Sequence, residues 1–189
     1  MMKTPFKALA LLLLAFSVTF TSCKKDNADP AQSTGGDSNW SFAGYTYARS
    51  SSAQSSSDTG DGGTLTAVVV TTAGDGGNHG AYSGSALTFT FYSSLGTGAY
   101  TLANTEIMVS NPASKILAVA CTIGTAVATG TTLYTPTANS TATAEVTMDS
   151  KGQYHITLST PVTLVKNTEV SGGVPGAKDS YALTISNAY

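Results

Sequence analysis

The sequence predicts an all-β protein of antiparallel strands, and three observations carry that prediction. Runs rich in Thr, Val, Ile and Tyr are broken at short intervals by Gly, Ser, Asn and Asp. Two runs alternate with period 2. In 86–92, Leu87, Phe89 and Phe91 share one face and Thr88 and Thr90 the other; in 141–149, Ala142, Ala144, Val146 and Met148 oppose Thr141, Thr143, Glu145, Thr147 and Asp149. One apolar and one polar face per strand is the pattern of a half-solvated antiparallel sheet. Past the first 22 residues no window shows a 3.6-residue apolar stripe. About ten or eleven short strands of this kind predict an antiparallel β-sandwich, with a small closed β-barrel as the alternative.

Residues 1–22 read as a cleaved signal peptide. Lys3 and Lys7 precede an apolar run over 8–20. A spanning helix needs about 20 residues, so the run is an export signal and not a membrane span. Thr21-Ser22 then leads directly into Cys23, and Phe20-Thr-Ser-Cys23 resembles the lipobox of bacterial lipoproteins, although Leu is commoner at the place of Phe20. The resemblance implies a diacylglyceryl group on the Cys23 sulfur, cleavage before Cys23 and acylation of its new amino group. Several acyl chains, at about 0.8 kcal/mol per buried methylene, would hold the protein on a membrane. The alternative is an ordinary secretory signal with Cys23 in a disulfide. The second cysteine, Cys121, lies in an apolar run, where a thiol packs as a small hydrophobe. It has no local electropositive setting of the kind that activates a nucleophile.

Residues 23–39 form the lipidated cysteine and a flexible tether. The stretch 24–39 holds no apolar side chain larger than Ala or Pro, too little to offset the entropy of ordering it. Such a segment reaches roughly 20–24 Å. Residues 40–189 form one β domain. Strands are expected over 40–47, 65–72, 86–92, 99–103, 106–109, 116–123, 131–134, 141–149, 154–159, 162–166 and 180–186. The stretch 67–70 and most of 116–123 are apolar on both faces and belong at central, well-covered positions. Asn111-Pro112 and Thr135-Pro136 read as turns, since proline ends sheet ladders. The Ser-rich 50–63 stretch reads as a low-complexity loop.

Composition narrows the functional classes. With 11% charged residues the chain is no coiled coil. With 9 basic against 11 acidic residues it has no broad phosphate-binding face, so nucleic acid is not an expected partner. Loss of Lys3 and Lys7 with the signal, and of no acids, moves the formal charge from −2 to −4.

Candidate sites are few. Asp58, Asp61 and Asp75 lie in two Asp-Gly-Gly loops that could offer Ca²⁺ its oxygens; equally, they are turn formers. Neither the EF-hand nor the nonapeptide calcium pattern is present. His79 and His155 have no second His or Cys near them in sequence to complete a zinc site. Alternation turns His155 with Thr157 and Ser159 toward solvent. Glu145 and Asp149 share a strand face but stand about 13 Å apart, too far for a glycosidase pair. No nucleophile elbow, Walker loop or dinucleotide fingerprint stands in a supporting context, so the sequence names no catalytic residue and no cofactor. Tyr45 and Tyr47 lie on the parity opposite Trp40 and Phe42, about 7 Å apart on one face. They could stack on a sugar ring or flank a sheet edge. The alternating 181–189 ending in Tyr189 also fits an outer-membrane barrel strand, but a lipidated tether already supplies attachment.

Taken together, Phe20-Thr-Ser-Cys23-Lys-Lys-Asp26, a short polar tether and a Trp-led β domain resemble small lipoproteins of Bacteroidota. Leu87-Thr-Phe-Thr-Phe-Tyr92 followed by Gly96-Thr-Gly-Ala-Tyr-Thr-Leu102 resembles a strand–turn–strand phrase of their uncharacterised β domains. The resemblance implies a lipid anchor in the cell envelope, at the outer membrane, and carries no site residues across. Two functional classes follow: a binding or adhesion module for a glycan or protein, and a structural or assembly subunit such as a pilin-like component. For the second, Arg49 stands where fimbrial lipoproteins of that phylum are trimmed after a basic residue.

Overall fold

The computed structural model describes residues 39–60, 62–72, 85–124 and 130–189. Their elements in chain order are β1 (Asn39–Phe42), β2 (Tyr45–Ala48), β3 (Ser51–Asp58), β4 (Thr64–Thr71), β5 (Ala86–Tyr92), β6 (Gly98–Ala103), α1 (Thr105–Ser110), β7 (Ile116–Ile123), β8 (Thr131–Pro136), β9 (Thr143–Met148), β10 (Tyr154–Leu158), β11 (Val162–Val170) and β12 (Ser180–Asn187). A single-turn 3₁₀ helix over Ser93–Leu95 links β5 to β6.

β7 organises the sheet. β5 pairs with it over residues 117–122, while β6 pairs over 116–118 and β8 over 121–123. A strand has two edges, so β6 and β8 share the edge that β5 leaves, and the sheet parts there. One branch runs β6-β9-β10 and the other β8-β11-β12-β1-β2, while β5-β4-β3 extends from the opposite edge of β7. The two branches meet again where Ile156 and Ala188 exchange hydrogen bonds of 2.9 and 2.8 Å. The result is one hydrogen-bonded, almost wholly antiparallel sheet that curls over a single apolar core. β7 is the covered central strand that its two apolar faces predict; β4 lies one strand in from the edge.

The exception to antiparallel pairing explains the helix. β6 and β7 are parallel, and a parallel pair needs a crossover that carries the chain back, commonly a helix. The apolar Ile107-Met108-Val109, expected as strand, is therefore helical. Asn104 caps α1 by accepting the Ile107 N–H at 2.9 Å, and Met108 is buried beneath it.

Three further expectations change. The run 40–47 is not one strand: Ala43 and Gly44 have φ of 54° and 84° and join β1 to β2 in a two-residue hairpin. Positive φ at both central residues is the type I′ geometry that matches strand twist. The Ser-rich 50–63 stretch is mostly strand. β3 pairs with β4 without a register break from Ser51↔Thr71 to Asp58↔Thr64. Ladder pairing and cross-strand hydroxyl bonds, Ser51 to Thr71 at 2.6 Å and Ser56 to Thr66 at 2.8 Å, override the weak propensity of serine. Finally, Thr135-Pro136 continues β8, where Pro136 pairs with Leu164 after the β7 ladder has ended, so its missing N–H breaks nothing. Met148 shares the face of Val146 yet lies beyond the core and is exposed.

Candidate functional site

The hairpin decides the fate of the tyrosine pair. In one strand, alternation would set Tyr45 and Tyr47 opposite Trp40 and Phe42. The two-residue turn instead pairs Trp40 with Tyr47 and Phe42 with Tyr45, and residues directly opposed share a face. All four rings therefore turn inward. Tyr47 is fully buried, its ring stacked on Trp40 at 5.6 Å between centroids, and Tyr45 packs 6.5 Å from it against the core. The pair shares a face as expected, but that face is the core side, and it offers no exposed platform for a sugar. Burial pushes the Tyr47 hydroxyl up to about 12, against a smaller lowering pull from nearby Ser85.

Of the three aspartates, Asp58 lies among the described residues. Its carboxylate accepts the Gly60 N–H at 2.7 Å, and Thr59 closes the turn on the Gly63 carbonyl at 2.9 Å. That is turn-forming work. Asp61 and Asp75, like His79 and Cys23, lie outside the described residues. Among the described residues no three His, Cys, Asp or Glu side chains gather as metal ligands. Cys121 is buried in β7 between Leu87 and Tyr134, and burial raises its thiol far above the ordinary value. It is a packed side chain, inert as a nucleophile.

The polar constellation that the sequence did not reveal lies where β2, β10 and β12 end. Arg49, just past β2, donates to the Tyr189 main-chain oxygen at 3.2 Å and to its hydroxyl at 3.1 Å, with the guanidinium 3.9 Å from the ring centroid. The His155 ring also stacks on Tyr189, at 4.2 Å between centroids. His155 is thus half-buried instead of solvated. Its Nδ1 lies 3.1 Å from Asn187 Oδ1 and its Nε2 3.5 Å from Asp149 Oδ2. The ring is thus held from both of its nitrogens as well as by its face. Asp149 is held below the usual carboxylate range, first by the Gln153 N–H, then by the Lys151 N–H and by His155. Strand-by-strand periodicity could not find this cluster, because its members come from turns and strand ends far apart in sequence.

A second polar contact bridges two walls of the curl. The Gln54 side chain of β3 accepts the Tyr154 N–H at 3.0 Å and donates to the Gly152 carbonyl at 3.1 Å. Its carboxamide takes the place of one peptide unit beside β10. A third cluster centres on Lys166, which binds Glu169 at 3.0 Å, Asp179 at 3.5 Å and the Ala177 carbonyl at 3.0 Å. It ties the β11–β12 connection to the sheet.

In each cluster the polar groups are spent on one another and on backbone. What they do chemically is fix strand ends. The comparisons add no relative: no family model, no curated protein and no solved structure matches the chain.

Proposed function

We propose that this chain is a lipid-anchored protein of the bacterial cell envelope whose β domain serves as a binding or adhesion module. The observation that carries the reading is the position of Cys23, directly after Thr21-Ser22 at the end of an apolar run of export-signal length. The small polar stretch that follows and the strand-built domain beginning at Asn39 fit a tethered module. The exposed faces offer mainly hydroxyls, which suit recognition of polar ligands such as glycans. Since Tyr47 is spent on the core, the ligand surface is sought on exposed strands and not at the aromatic hairpin.

The test is metabolic labelling with palmitate, fractionation and surface proteolysis of the full chain and of Cys23→Ser. The wild type should carry label and sediment with membranes, and the variant should lose both. Label or membrane partition retained by Cys23→Ser overturns the anchor. Glycan-array binding by the anchored protein then tests the module.

A further inference from the structure

The ladder of β12 with β1 ends at the pair Asn39↔Asn187. The next residue crosses to the other branch of the sheet. Ala188 exchanges main-chain hydrogen bonds of 2.9 and 2.8 Å with Ile156 of β10. Among the described residues that bridge is the one strand pairing that joins the β6-β9-β10 branch to the β8-β11-β12-β1-β2 branch away from β7. Both side chains are fully buried in the core. A seam thus runs between β10 and β12, closed by a single bridge. The ladders beside it are longer: β10 pairs with β9 from Tyr154 to Leu158, and β1 with β12 from Asn39 to Phe42.

Side chains hold this bridge down. Arg49 donates to the Tyr189 main-chain oxygen at 3.2 Å and to its hydroxyl at 3.1 Å. The guanidinium and the His155 imidazole both lie against the Tyr189 ring, 3.9 and 4.2 Å from its centroid, and a cation over such a ring is drawn to its negative face. Arg49 belongs to the β2–β3 junction and His155 to β10, so the residue directly after the bridge is tied to both. His155 is itself oriented by Asn187 and Asp149, at 3.1 and 3.5 Å.

From this arrangement we propose that Ala188 and Tyr189 form a latched strap, with the Tyr189 ring as the latch and Arg49 as its catch. While the ring is seated, the seam is shut. When the ring leaves, Ala188 separates from Ile156 and the seam opens locally, with the neighbouring ladders still formed. A local opening is governed by the few contacts it breaks. Here those are chiefly the two bridge bonds, the Arg49 bonds and the ring contacts. What the opening bares is apolar, since Ile156 and Ala188 are otherwise fully buried. The strap therefore controls access to the core at this end of the sheet. This goes beyond the anchored-module reading and does not depend on lipidation.

Amide hydrogen exchange of the full chain in detergent micelles, read residue by residue by NMR, tests the strap. In the wild type the Ile156 and Ala188 amides should share one opening constant, several-fold larger than that of the Val68 and Phe89 amides in β4 and β5. Tyr189→Ala should raise both seam rates several-fold and leave Val68 and Phe89 unchanged. Tyr189→Phe, which keeps the ring, should fall between Tyr189→Ala and the wild type. Arg49→Met should also raise both seam rates, and combined with Tyr189→Ala it should add nothing further, because Arg49 acts on the bridge through the ring. Seam rates unchanged by Tyr189→Ala overturn the inference. So does a rise shared by Val68 and Phe89, which makes Tyr189 a part of global stability. So does an Arg49→Met effect that multiplies with that of Tyr189→Ala.

Discussion

The sheet has two outer strands that follow one another in sequence yet are held by opposite means. β2 and β3 are separated by Arg49 and Ser50 alone. β2 is pinned from inside: Tyr47 is fully buried against Trp40, and Tyr45 packs beside it against the core, 6.5 Å between ring centroids. β3 buries almost nothing and relies on its ladder with β4, two hydroxyl pairs and the Gln54 bridge. The first mode is apolar burial, worth kilocalories per side chain. The second rests on hydrogen bonds that exchange with water, each worth about 1 kcal/mol net. The two strands are both ends of the sheet, but one is anchored by its side chains and the other by its ladder.

The largest expected effect separates these modes. Trp40→Ala should cost about 3–5 kcal/mol, the range for deleting a buried aromatic side chain, whereas Ser55→Ala should change stability by less than about 0.5 kcal/mol. Urea unfolding reads both, and comparable costs would remove the distinction. Next, Gln54→Ala deletes two exposed hydrogen bonds and should cost about 1 kcal/mol. Its signature is local: faster hydrogen exchange at the Tyr154 N–H, with the β4–β5 amides unchanged.

The polar cluster beside β2 adds a pH-dependent term. Asp149 has a folded value below its ordinary 3.8, because the Gln153 and Lys151 N–H groups and His155 favour the carboxylate. A lowered carboxylate contributes stability above the unfolded value and loses it as pH falls through the folded one. Acid unfolding of Asp149→Asn should therefore be shallower below about pH 4 than that of the wild type, with little difference at pH 7 beyond a constant offset. The smallest effect lies at the hairpin turn. Ala43 occupies a left-handed conformation, φ 54°, which costs a residue bearing Cβ roughly 1 kcal/mol. Ala43→Gly removes that strain but loses about 0.5–1 kcal/mol of unfolded-state entropy. A thermal midpoint equal to or slightly above wild type is expected, and a clear fall would mean that the Ala43 methyl matters more as core packing.

Where one strand's own pattern determines its faces, the sequence was legible. The 86–92 and 116–123 runs are β5 and β7 to the residue, because alternation and apolar content are properties of a single segment. Reading failed where pairing decided the outcome. Ser51–Asp58 looks like a loop until β4 supplies its ladder, and 106–109 looks like a strand until the parallel β6–β7 pair demands a crossover. The Arg49–Tyr189–His155–Asp149 cluster escaped for the same reason, since its members span 140 positions.

By itself the sequence determined an all-β, antiparallel protein with a buried thiol, because residue type and period act locally through sterics and hydration. Only the tertiary structure decided which way the tyrosines face, which Ser-rich stretch becomes an edge, and which charges meet. Those follow from a two-residue turn and from long-range pairing, and no single segment carries either.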